Sequence, residues 1–125
     1  VDFSACISLR RIGDGSLRNL SSLESLVLPP NLEEIGDRVL VDCKNLLTLN
    51  FRACLWLRCI GDGSLCGLSS LQSLVFAQGL KEVGSGVLCQ CSSLVTADFS
   101  ACASLRRIGD SSFKYLHALQ SLVLP

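Results

Sequence analysis

The chain has no net charge, a single histidine and few aromatic residues, and each of these shortages excludes a class of function. Its 11 basic and 11 acidic residues cancel, so no charge excess predicts binding to nucleic acid or to an anionic membrane. No apolar run approaches the ~20 residues of a membrane-spanning helix, so we expect no membrane insertion by this segment. With only His117, there is no Ser-His-Asp or Cys-His arrangement, and we expect neither an enzyme nor a bound cofactor or metal.

Leucine is abundant instead, and it lies within a pattern that recurs every 48 residues. The tetrapeptide FSAC begins at Phe3, FRAC begins at Phe51, and FSAC begins again at Phe99. A second motif, I-G-D in most copies, divides this period into alternating steps of 23 and 25 residues. Its copies begin at Ile12, Ile35, Ile60, Val83 and Ile108. Repetition at fixed spacing predicts a solenoid, here of five turns, in which each turn buries its apolar face against its neighbours.

Each turn also carries two apolar residues that flank one outward residue, which is the alternation of a strand with one buried face. These pairs are Val1 and Phe3, Leu26 and Leu28, Leu49 and Phe51, Leu74 and Phe76, Ala97 and Phe99, and Leu122 and Leu124. After the I-G step, Asp14 is placed as a helix N-cap, which predicts a short helical turn over 16–20. We therefore expect an α/β solenoid that fills residues 1–125 as one domain, with a parallel sheet on one face and short helical turns or loops elsewhere.

The combined pattern L-x-x-L-x-L, often followed by L-x-x-I-G-D, resembles the BspA-type leucine-rich repeats of bacterial and protist surface proteins. One copy runs from Leu23 to Leu28 and continues from Leu32 to Asp37. The resemblance implies a right-handed solenoid and a role in binding or adhesion at a cell surface rather than catalysis. The chain starts inside a strand at Val1, and neither end carries the polar cap of a natural solenoid. We therefore expect a fragment of a longer array.

The outward face of the predicted sheet is the candidate binding surface. Its central column, meaning the residues at one position in successive turns, alternates polar and apolar side chains: Asp2, Val27, Asn50, Val75, Asp98 and Val123. A neighbouring column places Arg52 where the other turns have serine, proline or alanine. No aromatic anchor of the kind that dominates binding energy lies in these columns. We expect a protein partner of unspecified identity, and the alternative is a structural or adhesive rod that self-associates end to end.

Trp56 is an aromatic side chain that the pattern places near the surface. It lies in the two-residue insertion of the long turns, where it aligns with Ser8 and Ser104. It is either a contact residue of the binding surface or a lid over its own turn.

Two of the eight cysteines occupy one column in adjacent turns. Cys66 lies six residues after Ile60, and Cys89 lies six residues after Val83. Adjacent turns stack about 4.8 Å apart, which is within the range that a disulfide requires. The pair can therefore cross-link under oxidising conditions or remain as free thiols.

The other cysteines are expected to be structural. Cys6, Cys54 and Cys102 recur only in alternate turns, which separates neighbours by roughly 10 Å and excludes disulfides among them. Cys43 and Cys91 align with leucines and are interpreted as small apolar fillers. Unpaired cysteines favour a reducing compartment, whereas the family resemblance favours the cell surface, so the location stays open.

Charged residues form columns as well. Arg10-Arg11 and Arg106-Arg107 precede the motif in some turns and Glu33-Glu34 precedes it in another, which predicts ion pairs across adjacent turns. A second column contains Asp14, Asp37, Asp62 and Asp110. These aspartates are interpreted as repeated N-caps, with a cation-binding ladder as the alternative.

Overall fold

The computed structural model describes residues 1–125 and contains ten short strands and no helix. In chain order the strands are β1 (Arg11–Ile12), β2 (Ser25–Val27), β3 (Glu34–Ile35), β4 (Thr48–Asn50), β5 (Cys59–Ile60), β6 (Ser73–Val75), β7 (Glu82–Val83), β8 (Thr96–Asp98), β9 (Arg107–Ile108) and β10 (Ser121–Val123). The chain is a parallel β-solenoid of about five turns, and the predicted α/β class and helical turns are wrong. No helix is present that could cross a membrane.

The first wall of the solenoid consists of the three-residue strands, which are the strands that the apolar pairs predict. Leu26 pairs with Leu49 in the parallel ladder, and Ala97 pairs with both Leu74 and Leu122. Their side chains point inward, and Leu74 is only 1% exposed. The residues on either side of each central position face outward, so the predicted stacking of equivalent positions is confirmed.

The second wall is a sheet that the sequence did not predict. The two-residue strands form one uninterrupted parallel sheet in the order β1-β3-β5-β7-β9. Its register pairs Ile12 with Ile35, Ile35 with Ile60, and Ile60 with Val83, which confirms the alternating steps of 23 and 25 residues. A strand of two residues is too short for an alternating pattern to reveal it, and only the stacking of five such strands makes a sheet.

Cross-turn ion pairs occur on this second wall, as the charge columns predict. Glu34 lies between two arginines of the neighbouring turns, with Arg11 Nε at 3.5 Å and Arg58 Nη2 at 3.2 Å from its carboxylate oxygens. All three side chains are 40–54% exposed. Such exposed pairs contribute at most about 1 kcal/mol each, so they help to set the register more than they stabilise the fold.

The third wall, where helical turns were expected, has a backbone in which alternate residues adopt positive φ. In the second turn Arg38, Leu40 and Asp42 have φ of 54°, 62° and 57°. This alternation directs backbone N–H groups along the solenoid axis. Arg38 N–H donates to Asp62 O of the following turn at 2.8 Å, and Leu40 N–H donates to Ser16 O of the preceding turn at 3.1 Å. Hydrogen bonds between turns therefore replace the bonds within a helix, and a helix is excluded because it requires negative φ throughout.

The I-G-D motif stacks through a close approach between its glycine and the aspartate of the preceding turn. A Cβ atom on Gly36 would collide with Asp14 Oδ1, and one on Gly61 would collide with Asp37 Oδ1. The aspartate carboxylates accept hydrogen bonds from backbone N–H groups of the following turn. The N-cap interpretation of this column is therefore wrong, because the aspartates join turns instead of starting helices.

One apolar core of 30 residues runs along the axis. Four buried cysteines belong to it: Cys43, Cys54, Cys91 and Cys102. Their thiols also donate to carbonyl oxygens of the preceding turn, for example Cys43 Sγ to Leu17 O at 3.0 Å and Cys91 Sγ to Leu65 O at 3.1 Å. The filler interpretation is confirmed for Cys43 and Cys91, and the structural interpretation is confirmed for Cys54 and Cys102. Cys6 differs because it lies in the first turn and is exposed.

Candidate functional site: the outward face of the first wall

The outward central column lies on one face, as predicted, but it divides into two ladders. Asp2 pairs with Val27, which pairs with Asn50. On the other side, Val75 pairs with Asp98, which in turn pairs with a valine at position 123. Val27 and that last valine are each 41% exposed, so apolar side chains are accessible on both halves.

The polar members of the column shape the end of each strand in alternate turns. Asp2 Oδ1 accepts from Ser4 N–H, and Asp98 Oδ1 accepts from Ser100 N–H, both at 2.8 Å. Asn50 Oδ1 makes the equivalent bond to a backbone N–H two residues later. This is the local turn that Asx side chains favour, and it explains the sequence D-F-S-A-C at these positions.

Hydrogen bonding also lowers the pKa values of the two aspartates. The Ser4 hydroxyl and then the Ser4 N–H lower the pKa of Asp2, and the same two groups of Ser100 lower the pKa of Asp98. The positive charge of Arg52 lowers the pKa of Asp98 further, by a smaller contribution. Both carboxylates therefore remain ionised and are occupied by hydrogen bonds within their own turn. Neither is placed to act as a general acid or base.

The first wall is interrupted between β4 and β6. These strands belong to separate sheets, with order β2-β4 on one side and β10-β8-β6 on the other. The aromatic core widens at the same place, since the ring centroids of Phe51 and Phe76 are 5.8 Å apart whereas those of Phe76 and Phe99 are 4.0 Å apart. Both pairs are stacked with nearly parallel rings, so the difference is one of spacing rather than orientation.

A cleft of about 230 Å³ opens at this interruption. Its lining residues are Leu47, Thr48, Leu49, Asn50, Arg52, Ser73 and Val75. Arg52 is the only charged residue among them, and no acidic side chain forms a salt bridge with it. Three predicted face residues, Asn50, Arg52 and Val75, are thus brought together around one opening.

Trp56 lies in the corner between the first and second walls and not on the outward face. Its side chain is 66% exposed, and the adjacent Leu55 is 50% exposed. A lid would bury the indole against its own turn, so this degree of exposure contradicts the lid interpretation. A contact role stays a prediction.

Cys66 and Cys89 lie in adjacent turns of the third wall, away from the outward face. Gly67 N–H donates to Cys89 O at 2.8 Å, which fixes the two turns beside each other. Both thiols are free and half-buried. Burial, followed by the neighbouring Cys89 thiol, raises the pKa of Cys66 to about 11. The Cys66 thiol is therefore protonated at neutral pH, and the cross-linking of the pair stays a prediction.

Comparison with known proteins identifies the repeat. The family model for the BspA type leucine-rich repeat region matches residues 2–120 as six copies of the repeat. This chain belongs to the BspA-type leucine-rich repeat family. A search of curated proteins gives no match.

One solved structure resembles this BspA-type chain in fold. It is a leucine-rich cell surface protein from Faecalibacterium prausnitzii A2-165, with 19% sequence identity and a TM-score of 0.51. The similarity covers 91% of the present chain and 42% of that protein, so the chain spans less than half of the neighbour's length. At this identity the likeness concerns the fold.

Sequence reasoning found the outward column of this BspA-type solenoid but missed the cleft. Thr48 and Ser73 line it, although neither stands out from the serines and threonines at the same position in other turns. The one signal in the sequence is Arg52, which replaces the serine of Ser4 and Ser100. No group of three or more histidine, cysteine or acidic side chains is placed to hold a metal ion.

Proposed function

We propose that this chain is a non-catalytic, protein-binding repeat module that binds through the outward face of its first wall. The observation that supports the proposal is the exposure of Val27 and Val123, two apolar side chains on a face that also presents Arg52 and small polar groups. Contiguous apolar surface rimmed by polar residues is typical of contact sites, and a partner segment that lies along the face would join the two valines into one contact. The structural neighbour is a leucine-rich cell surface protein, which supports a location at the cell surface.

Site-specific photo-crosslinking tests this proposal in the cells that produce the protein. A benzophenone amino acid replaces Val27 on the outward face, and in a matched control it replaces Tyr115, which is exposed on the third wall. Specific adducts from position 27 and none from position 115 are the expected result. Equal adducts from the two positions, or none from position 27, would overturn the proposal.

An end-to-end self-associating solenoid is the second candidate, and the stacking of its inner turns favours it. Each inner turn buries its apolar residues against both neighbours, so that Leu74 is 1% exposed. A second copy stacked on the turn of Leu122 and Leu124 would continue the same packing. Light scattering over a concentration series should show growth of the wild type, and Leu124→Lys should abolish that growth. A wild type that stays monomeric at all concentrations contradicts this alternative.

A further inference from the structure

We propose that the cleft between β4 and β6 is the recognition point of the outward face, and that it takes the carboxylate of an Asp or Glu side chain from an extended protein segment. Arg52 is the cation that would receive this carboxylate. This inference rests on the proposed binding role of the face and adds the chemistry of the partner.

An equivalent junction within the same chain shows what the cleft lacks. The β8–β10 junction lies 48 residues further along the sequence, and there Val95 O accepts from Gln120 N–H at 2.9 Å and Phe99 N–H donates to Val123 O at 2.7 Å. No corresponding bonds join Leu47, Phe51 and their partners across the β4–β6 junction. The Leu47 carbonyl and the Gln72 N–H therefore lack a ladder partner and lie in exposed residues, where another molecule can reach them. Phe51 N–H is unpaired as well but lies in a fully buried residue.

The two junctions also differ in four side chains, all of which lie in or beside β4. Leu47, Leu49, Asn50 and Arg52 line the open junction, and Val95, Ala97, Asp98 and Ser100 occupy the same positions at the closed one. The replacements exchange one aspartate for a neutral amide and one serine for an arginine. The open junction is therefore net positive where the closed junction is net negative.

Carboxylate recognition follows from the positive charge of Arg52. An arginine guanidinium donates to carboxylate oxygens, and such charge-assisted bonds are stronger than neutral ones. Thr48 and Ser73 add hydroxyl groups to the lining. A volume of about 230 Å³ accommodates one side chain and not a second strand, so the partner segment would lie along the face and insert a single residue.

Amide hydrogen exchange of the free protein tests the interruption. Gln72 N–H is expected to exchange at least about tenfold faster than Gln120 N–H, because both residues are exposed and only Gln120 N–H is held in the ladder. Similar protection of the two amides would overturn the proposal, since a closed junction has no groups to offer.

Binding is tested by nuclear magnetic resonance titration with two capped pentapeptides, Thr-Val-Glu-Val-Thr and Thr-Val-Lys-Val-Thr. The glutamate peptide should shift the amide signals of Phe51, Arg52 and Ser73, and the lysine peptide should not. Arg52→Ser, which installs the residue found at Ser4 and Ser100, should weaken binding about tenfold or more through loss of a charge-assisted bond. The matched control Ser100→Arg places the same cation at the closed junction and should create no second site. Equal response to both peptides, no response, or an unchanged affinity of Arg52→Ser overturns the inference.

Arg52→Ser combined with the photo-crosslinker at position 27 separates the two proposals. If the adducts persist at full yield, the outward face still binds a partner and the cleft is not its recognition point. Adducts that fall about tenfold would support both. Absence of adducts in the parent protein rejects the proposed function itself, whatever the peptide titration shows.

Discussion

Asp14 Oδ1 accepts a hydrogen bond of 2.8 Å from the backbone N–H of Asp37, the residue that occupies the same position in the next turn. Asp37 makes the same bond to Asp62 N–H at 2.9 Å, and Asp62 makes it to Ser85 N–H at 2.8 Å. Each bond lies beside a glycine whose missing side chain leaves room for the carboxylate. The hydrogen bond from the backbone N–H of Asp37 lowers the pKa of Asp14, so Asp14 accepts this bond as a carboxylate.

Gly61→Ala should destabilise the solenoid strongly. The added Cβ would collide with Asp37 Oδ1 and lie 2.6 Å from Gly36 O, and overpacking against backbone costs about 1–3 kcal/mol or more. Gly13→Ala is the matched control, since its nearest neighbours are 3.8 Å away and its effect should stay within about 0.5 kcal/mol. Urea denaturation measures both changes. Equal effects at the two positions would refute the stacking role of the glycine.

Ser64→Ala should cost about 1–3 kcal/mol in the free energy of unfolding. The Ser64 hydroxyl is fully buried, accepts from Val39 N–H at 3.0 Å and donates to Gly36 O at 2.6 Å. Its removal leaves both backbone groups without a partner. Ser92→Ala, at an exposed position, provides the control for denaturation, and a loss no larger than in this control would contradict the bridging role.

Stability should fall as the pH rises from about 9 towards 11, because buried thiols titrate in this range. Burial raises the pKa of Cys54 and of Cys102 from 9.0 to about 11. The folded protein thus holds these protons more tightly than the unfolded chain, so the stabilisation is complete below pH 9 and is lost as the pH passes through the folded-state pKa. Urea denaturation between pH 7 and 11 measures the loss.

Cys54→Ala isolates the contribution of one thiol to that pH dependence. The variant should be less stable at pH 7, because a cavity replaces the sulfur, and its stability should fall less steeply above pH 9. A slope identical to that of the wild type would show that the Cys54 thiol does not contribute to the alkaline loss.

Oxidised glutathione should join Cys66 to Cys89. Both thiols lose their hydrogens to form one disulfide, and glutathione disulfide is reduced to two glutathione molecules. Adjacent turns about 4.8 Å apart allow this bridge without rearrangement of the chain. Mass spectrometry of non-reduced peptides should detect the linked pair, and Cys66→Ser should remove it. Two alkylatable thiols after oxidation would contradict the prediction.

The turn length and the stacking register could be read from the sequence, because they follow from repetition. Each Ile of the I-G-D motif must fill the same place in a narrow core, so Ile35 and Ile60 are in register whatever the backbone does between them. The outward column followed in the same way, since alternation in a strand places Val27 and Asn50 on the face opposite to the buried leucines.

The backbone conformation of the third wall could not be predicted from the sequence. A helical turn and the observed conformation differ in whether each N–H donates within its own turn or to a neighbouring turn. The Asp14 carboxylate can accept either from the N–H groups of a helix that begins at this position or from a backbone N–H of the next turn. Only the proximity of Asp37 N–H in the folded chain decides for the second. Positive φ at Leu40 is unfavourable for the isolated residue and persists because its N–H reaches Ser16 O in the neighbouring turn.

The amino-acid sequence by itself determined a solenoid of about five turns, its alternating steps and the composition of its outward face, because a repeated apolar pattern admits one way of stacking. The tertiary structure alone decided that the third wall is not helical and that the first wall opens between Asn50 and Val75. Both outcomes depend on hydrogen bonds between turns, and such bonds join residues more than 20 positions apart that no local pattern connects.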